Sequence, residues 1–75
     1  MSKLPLLTAK EVVKVLLALG FVLKRQKGSH MFFEHPDGRT TLVPNHPGDH
    51  IDRGLLNKII KHDLKMERED FERML

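Results

Sequence analysis

The sequence contains no cysteine. This absence excludes disulfide bonds, and it leaves no thiol to act as a nucleophile or as a metal ligand. A chain without cysteine fits the reducing cytosol, so we expect a cytoplasmic protein. No apolar run approaches the ~20 residues that span a membrane. Residues 1–10 lack the long apolar core and the cleavage site of a secretion signal, so we expect no membrane contact.

Two common catalytic patterns are also missing. The sequence has no phosphate-cradling loop of the P-loop kind, and it offers no Ser-His-Asp arrangement. Internal repeats and low-complexity tracts are absent too. With 75 residues, the chain predicts one domain over 1–75, with a core at about 7–64 and a helical extension at 65–75. A chain this short is marginally stable and often gains from a partner.

Charge is unevenly distributed along the chain, whose net charge is +3. Residues 1–33 carry six cations against one anion, Glu11, whereas residues 63–75 carry five anions against three cations. The six cations are Lys3, Lys10, Lys14, Lys24, Arg25 and Lys27. A basic half suggests a polyanion bound on one face, but a solubilising surface with chance clustering stays open as the alternative.

The first helix is predicted at Thr8–Leu19. Thr8 and Glu11 have the spacing of a capping box, in which each side chain bonds the other residue's backbone. Gly20 is suited to close the helix in a left-handed conformation, and Phe21 can then fold back onto Leu16. The predicted apolar stripe consists of Val12, Val13, Leu16, Leu17 and Leu19.

Three short strands are predicted next: FVLKRQK at 21–27, HMFFEH at 30–35 and RTTLV at 39–43. In the first strand, Phe21 and Leu23 should share one face, and Val22 and Lys24 the other. Turns at 28–29 and 36–38 would join the strands as an antiparallel meander.

A loop, PNHPGDH, must follow because two prolines and a glycine interrupt any strand. A second helix is predicted from about Asp52 and a short last one at 68–75. The predicted buried residues are Leu55, Leu56, Ile59 and Ile60 in the second helix, and Phe71, Met74 and Leu75 in the last. The order α-β-β-β-α predicts an α+β two-layer sandwich, with helices on one face of a three-stranded antiparallel sheet.

The stretch RQKGSHMFFEHPDG, residues 25–38, carries the densest polar chemistry of the chain. His30 follows Lys24, Arg25 and Lys27 across a two-residue turn, Gly28-Ser29, so a hairpin would bring those cations near its imidazole. Histidine suits a general base because its unperturbed pKa of about 6.5 lies near working pH. Three interpretations stay open for His30: a catalytic base, a metal ligand, or a strand-edge histidine with a solvated ring.

The residues around His30 favour contact with phosphate. Gly28 would allow a phosphate close to backbone N–H groups, and Ser29 would add a hydroxyl donor. The three cations would position the phosphate, although a solvated strand end is the alternative. Such a site could help RNA to be cleaved by its own 2′-hydroxyl, with cations stabilising the developing negative charge.

The other histidines carry weaker signals. His46 and His50 have H-x-x-x-H spacing, but Pro47 and Gly48 exclude the helix that makes this spacing useful for zinc, so we expect no metal. His46 is a candidate second acid, with a backbone-bonding loop residue as the alternative. We expect a structural role for His35, at a turn, and a surface role for His62. Phe32 and Phe33 must point to opposite faces of their strand, so one should lie in the core. For the other, burial under the helical extension or under a partner is favoured over a role as a stacking platform for an RNA base.

The chain from Leu7 to about Leu64 resembles the HicA family of type II toxin–antitoxin systems, also described as YcfA-like proteins. No single motif is specific, but their order and spacing together are. The matching pieces are Gly20-Phe21, the basic run into Gly28-Ser29-His30, His35-Pro36-Asp37-Gly38, Val43-Pro44-Asn45-His46-Pro47-Gly48 and the segment GLLNKII at 54–60. The segment Lys65–Glu69 departs from the family, which more often turns there through a glycine and a good N-cap.

The resemblance implies a fold like the double-stranded-RNA-binding domain. It further implies a toxin that cleaves mRNA without a metal or other cofactor, that is neutralised by a HicB antitoxin and that uses His30 as its catalytic residue. It gives no reason to expect DNA binding by the chain itself. Two other functions stay open: a non-catalytic RNA-binding module of the same fold, and an interaction domain whose basic face docks an acidic partner.

Overall fold

A computed structural model describes residues 5–75 of the chain. Sequence predictions that concern residues 1–4, such as the contribution of Lys3 to the basic half, lie outside the described residues. The elements follow the predicted α-β-β-β-α order, with additional helical turns at the C-terminal end. They are α1 Ala9–Leu19, β1 Val22–Lys27, β2 His30–Glu34, β3 Thr40–Pro44, α2 Arg53–Lys58, a π-helical segment Ile59–Asp63, and α3 Arg68–Glu72.

Helix α1 begins and ends as the sequence predicts. The Thr8 side chain accepts a hydrogen bond from the Glu11 backbone N–H, and the Glu11 carboxylate accepts one from the Thr8 N–H at 2.9 Å. Thr8 is therefore the N-cap, and the helix proper starts one residue later than predicted. At the other end, Gly20 has a φ of 102° and Phe21 donates its N–H to the Leu16 carbonyl at 2.9 Å.

The three strands form one antiparallel sheet in the order β1-β2-β3. The register pairs Lys27 with His30 and His30 with Pro44 at one end of the sheet. At the other end it pairs Val22 with Glu34 and Glu34 with Thr40. A bulge lies between Leu23 and Arg25, so Lys24 has no partner in the β1-β2 register.

The helices cover one face of the sheet, which we call the inner face. Strand residues alternate in burial: Met31 and Phe33 of β2 are buried, as are Thr41 and Val43 of β3. Both α1 and the π-helical segment pack against β3. The largest fully buried side chains are Phe21, Phe33, Phe71, Leu16, Leu56, Ile59, Ile60, Leu64, Val12, Val15 and Val43. This confirms the predicted α+β two-layer arrangement.

Strand β1 differs from its prediction. All six of its residues are exposed to solvent. The relative solvent accessibility is 52 % for Val22 and 43 % for Leu23. Phe21, which was predicted to begin the strand, precedes it and is only 2 % exposed. Strand β1 is exposed because the helices pack over β3 and the core, and this edge strand extends beyond their cover.

The apolar stripe of α1 is rotated slightly from the predicted one. Val15, which the predicted stripe omits, is 1 % exposed, whereas Leu17 is 55 % exposed. Val13 is only partly buried at the margin of the core. The helix therefore centres its buried face on Val12, Val15 and Leu16, at the i, i+3, i+4 spacing.

The C-terminal part is less regular than predicted. The predicted second helix changes at Ile59 into a π-helical segment, in which Leu64 donates its N–H to the Ile59 carbonyl at 2.8 Å. The widened turn lets Ile59, Ile60 and Leu64 all be fully buried. Helix α3 ends at Glu72, short of the predicted Leu75, whose side chain is 50 % exposed.

Candidate functional site

His30 lies on the outer face of the sheet, away from the helices. It begins β2, and the next residue, Met31, is buried on the inner face. Successive side chains of a strand point to opposite faces, so His30 and Phe32 share the outer face while Met31 and Phe33 fill the core. The phenylalanine that is buried is therefore Phe33, which is 1 % exposed, whereas Phe32 is half-buried.

The sheet register places two cations beside these side chains. Lys27 pairs with His30, and Arg25 pairs with Phe32. Residues directly opposite each other on antiparallel strands have their side chains on the same face. On the other side of β2, Phe32 pairs with Leu42. A half-open hollow of about 330 Å³ results, which we call the outer hollow; it is lined by Arg25, Lys27, His30, Phe32 and Leu42.

Arg25 stacks on the aromatic ring within the outer hollow. Its guanidinium carbon lies 5.5 Å from the centre of the Phe32 ring. A cation–π contact at an exposed site contributes roughly 0.5–1 kcal/mol. This contact fixes one positive charge next to His30 and leaves the guanidinium N–H groups free for an anion.

Lys24 behaves differently from Arg25 and Lys27. It lies in the bulge, does not line the outer hollow, and its Nζ is 3.9 Å from Glu34 Oε1. Exposed ion pairs of this kind contribute only about 0–1 kcal/mol. Lys24 can therefore leave Glu34 readily, but it stands further from His30 along the sheet than the other two cations.

The Gly28-Ser29 turn joins β1 to β2 beside His30. Gly28 has a φ of 59°, a left-handed conformation, and a Cβ added there would meet nothing within 4 Å. The open space leaves its backbone accessible to a ligand. Ser29 is held by its carbonyl, which accepts a hydrogen bond from the Asn45 N–H at 2.6 Å. Its hydroxyl has no partner among residues 5–75.

The imidazole of His30 is exposed and makes no hydrogen bond or ion pair with any other described residue. Both ring nitrogens are therefore accessible to a ligand on the outer face. A general base must reach the proton that it removes, and an unengaged ring at the rim of an open hollow meets that condition.

His46 lies apart from His30. It lines a second hollow of about 470 Å³, which we call the loop hollow, between the start of α1 and the loop after β3. Its lining residues are Thr8, Ala9, Lys10, Val13, Met31, Asn45, His46, Pro47 and Gly48. Because Met31 points to the inner face, the two hollows lie on opposite sides of the sheet. The structure does not bring His46 into the outer hollow.

His35 has the structural contacts that its position predicts. Its Nε2 donates to the Leu19 carbonyl at 2.9 Å, while its Nδ1 accepts from the Asp37 N–H at 3.1 Å. The ring meets Phe21 edge to face at 5.0 Å. His35 thus ties the β2–β3 turn to the end of α1. His62 is exposed and lies 3.2 Å from an Asp63 carboxylate oxygen.

The histidines of residues 5–75 form no metal cluster. No group of three or more histidine, cysteine, aspartate or glutamate side chains within residues 5–75 is arranged to hold a metal ion. This includes His46 and His50, whose H-x-x-x-H spacing lies in a loop interrupted by Pro47 and Gly48.

Sequence reasoning did not single out Leu42 of the outer hollow or Asn45 of the loop hollow as site residues. Leu42 lies on the outer face at 47 % exposure, and Asn45 lines the loop hollow. Alternation with the buried Thr41 and Val43 was a usable signal for Leu42. Asn45 lies in an irregular loop, where no periodicity indicates the direction of a side chain.

The described residues include no helix long and apolar enough to cross a membrane. A search of curated proteins found no match. The family model described as HicA toxin of bacterial toxin-antitoxin matches residues 9–63, which contain α1, the whole sheet and the π-helical segment. The chain therefore belongs to the HicA toxin family of bacterial toxin–antitoxin systems.

Proposed function

We propose that this HicA-family toxin is an endoribonuclease that cleaves mRNA, with His30 as its general base. One observation carries the proposal: an unengaged imidazole shares an open hollow with two cations and an aromatic ring. A base, positive charge and a stacking surface are what a single-stranded RNA needs to be held and cleaved at one phosphodiester.

The reaction uses the substrate's own nucleophile, so it requires no metal ion or other cofactor. His30 removes the proton of a ribose 2′-hydroxyl, and the 2′-oxygen forms a bond to the adjacent phosphorus. The bond from phosphorus to the 5′-oxygen breaks, and that oxygen takes a proton from solvent. The products are a 2′,3′-cyclic phosphate and a 5′-hydroxyl end, so no oxidant or further reactant is consumed.

The neighbours of His30 support this chemistry electrostatically. Arg25 and Lys27 stabilise the negative charge that develops on the phosphoryl oxygens. The backbone at Gly28 and the hydroxyl of Ser29 lie next to His30 and offer donors to a phosphate. Lys24 contributes more distant charge. His46 as the acid for the leaving oxygen gains no support from its place in the loop hollow.

We propose a HicB-type antitoxin as the protein partner. The family belongs to toxin–antitoxin systems, so an antitoxin is the partner that the family implies. An antitoxin that covers the outer hollow would exclude RNA and neutralise its cations. Because the proposed substrate is mRNA, we place the action of the toxin in the cytoplasm.

The test is to express the wild type and His30→Ala separately in bacteria without an antitoxin. We expect the wild type to arrest growth and His30→Ala to be harmless, since the variant keeps the cations but lacks the base. His62→Ala is the matched control because it removes an exposed histidine far along the chain and should stay toxic. Purified proteins should differ in the same way on RNA. Equal toxicity of wild type and His30→Ala contradicts the assignment.

A non-catalytic RNA-binding module is the second candidate. It is favoured by the Arg25–Phe32 stack, which would suit an RNA base whether or not cleavage follows. Such a module would bind RNA equally well with and without His30 and would release no cyclic-phosphate ends. Product analysis of an RNA incubated with the wild type therefore separates the two.

A further inference from the structure

The loop hollow is a second concave surface that the proposed cleavage chemistry does not use. It is larger than the outer hollow, at about 470 Å³ against about 330 Å³. Its floor is apolar, formed by Ala9 and Val13 of α1 and by Met31 of β2. A mostly apolar cleft of this kind suits an aromatic ring system rather than a charged group.

Polar groups at its rim are free to bind. Asn45 is half-buried, and its side-chain amide makes no hydrogen bond within the described part of the chain. An asparagine amide offers one donor group and one acceptor, which together match the edge of a nucleobase. His46 stands beside it with an exposed ring that is able to stack.

The charges of the lining residues also restrict which kind of ligand the loop hollow can bind. Among the lining residues that the structure describes, Lys10 is the one with a formal charge, and none of them is a carboxylate. The helix N-terminus is already occupied, since the Thr8 hydroxyl caps the Glu11 N–H at 3.3 Å. The cleft is therefore suited to a neutral ring attached to an anionic backbone.

The two hollows lie near the same end of the sheet, on its opposite faces. Asn45 donates its backbone N–H to the Ser29 carbonyl at 2.6 Å, which ties the loop to the turn beside His30. Pro44, one residue before Asn45, pairs with His30 across the sheet. A strand of RNA with a phosphate at His30 can thus pass around this end and present a neighbouring base to the opposite side.

We propose that the loop hollow binds one unpaired nucleobase of the RNA held at His30, and that Asn45 selects it by hydrogen bonds to the base edge. This inference rests on the proposed function and adds the site that gives cleavage a base preference. Asn45 acts here as a specificity residue and takes no part in the bond-breaking step.

The first test measures binding without cleavage. The His30→Ala protein, labelled on its methionine methyl groups, is titrated with a 2′-O-methyl RNA hexamer of mixed sequence and followed by NMR. We expect the Met31 methyl signal to shift, while Met66 and Met74, outside both hollows, stay unmoved. The protein also carries ¹⁵N, so that the Arg25 and Lys27 backbone amides report binding at the outer hollow in amide spectra of the same titration.

These signals separate the two proposals. Shifts at Arg25 and Lys27 with an unmoved Met31 overturn the nucleobase site but leave the RNA-binding function intact. If RNA moves none of these signals, the proposed function fails and the nucleobase site fails with it. A Met31 shift that persists with equal size in Asn45→Ala overturns the role given to Asn45.

The second test maps cleavage sites on a random-sequence RNA pool. Asn45→Ala keeps the backbone bond to Ser29 but removes the amide, so we expect preference at one nucleotide next to the cut to fall by about tenfold or more. Asn57→Ala, an exposed asparagine in α2, is the matched control and should keep the wild-type preference. Equal melting temperatures exclude unfolding as the cause. An unchanged preference in Asn45→Ala contradicts the proposal.

Discussion

Left-handed backbone closes two helical segments of this chain, and the residues that adopt it differ. After α1 the residue is Gly20, with a φ of 102°. After the π-helical segment it is Lys65, with a φ of 56°. A residue with a Cβ pays a steric penalty of roughly 1–2 kcal/mol in this conformation, whereas glycine does not. The positive φ of Lys65 is therefore a local strain in the backbone.

Replacing Lys65 by glycine should stabilise the protein. Relief of the strained φ outweighs the added freedom of the unfolded chain, so we expect a net gain of about 0.5–1 kcal/mol. Thermal unfolding should show a melting temperature raised by roughly 2–8 °C in a chain of this size.

The matched control for this prediction is Lys14→Gly. Lys14 is an exposed residue inside α1, where glycine costs about 1 kcal/mol relative to a good helix former, so the melting temperature should fall. A Lys65→Gly protein that melts at or below the wild-type temperature would show that Lys65 is not strained.

At the scale of the element, the start of α1 depends on pH. The Glu11 carboxylate accepts from the Thr8 N–H at 2.9 Å and from the Thr8 hydroxyl at 3.1 Å. These two hydrogen bonds hold the pKa of Glu11 below its ordinary value of 4.5. A depressed folded-state pKa stabilises the fold above the unfolded-state value, and that stability is lost as pH falls through the folded-state value.

Glu11→Gln should therefore make the free energy of unfolding depend less steeply on pH in the acid range. Glutamine can still accept from Thr8 but does not titrate, so the unfolding free energy should fall less between pH 6 and pH 3 than in the wild type, as measured by urea titrations. Asp37 contributes in the same direction, since the Arg39 backbone N–H and then its side chain lower the pKa of Asp37. Glu11→Gln with Asp37→Asn should be flatter still. Identical acid limbs for Glu11→Gln and wild type would refute the capping contribution.

Elements with local signals were predictable from the sequence, and those set by distant contacts were not. The capping residues and Gly20 act on their own helix, so both ends of α1 were predicted to within one residue of their observed positions. The π-helical widening at Ile59 serves the burial of Leu64 and carries no mark in the sequence. The exposure of β1 depends on how far the helices reach across the sheet, which no pattern within β1 records.

The candidate site was predictable to a similar degree. The order of cations, turn and His30 gave the composition of the outer hollow, because pairing across a two-residue turn is local. Lys24 left that set because of a bulge, and Phe32 entered it because the register fixed its face. The place of His46 depends on a loop path that proline and glycine permit but do not determine.

At the scale of the whole molecule, the sheet separates a basic outer surface from the helical layer. Arg25 and Lys27 lie on the outer face, while α3 carries Glu69 and Asp70 in its first turn. Long-range fields of this kind steer a polyanion to one side of a protein. RNA binding should therefore depend on where cations lie and not only on their number.

This dependence is measurable from the effect of salt. In the His30→Ala background, neutralising both cations with Arg25→Gln and Lys27→Gln should weaken binding of single-stranded RNA. It should also lower the slope of log affinity against log salt by about 0.7 for each lost phosphate contact. The control Lys61→Gln with Lys65→Gln removes equal charge outside the outer hollow and should keep the slope. Equal slopes for the two double variants would place the RNA elsewhere.

The bulge at Lys24 also bears on how the isolated chain behaves at high concentration. An open strand with exposed Val22 and Leu23 is a template for stacking chains into cross-β fibrils. Lys24 interrupts that template with an irregular backbone and a positive charge. We expect the free toxin to stay dispersed, and straightening β1 by deleting Lys24 should promote fibrils that bind thioflavin dye.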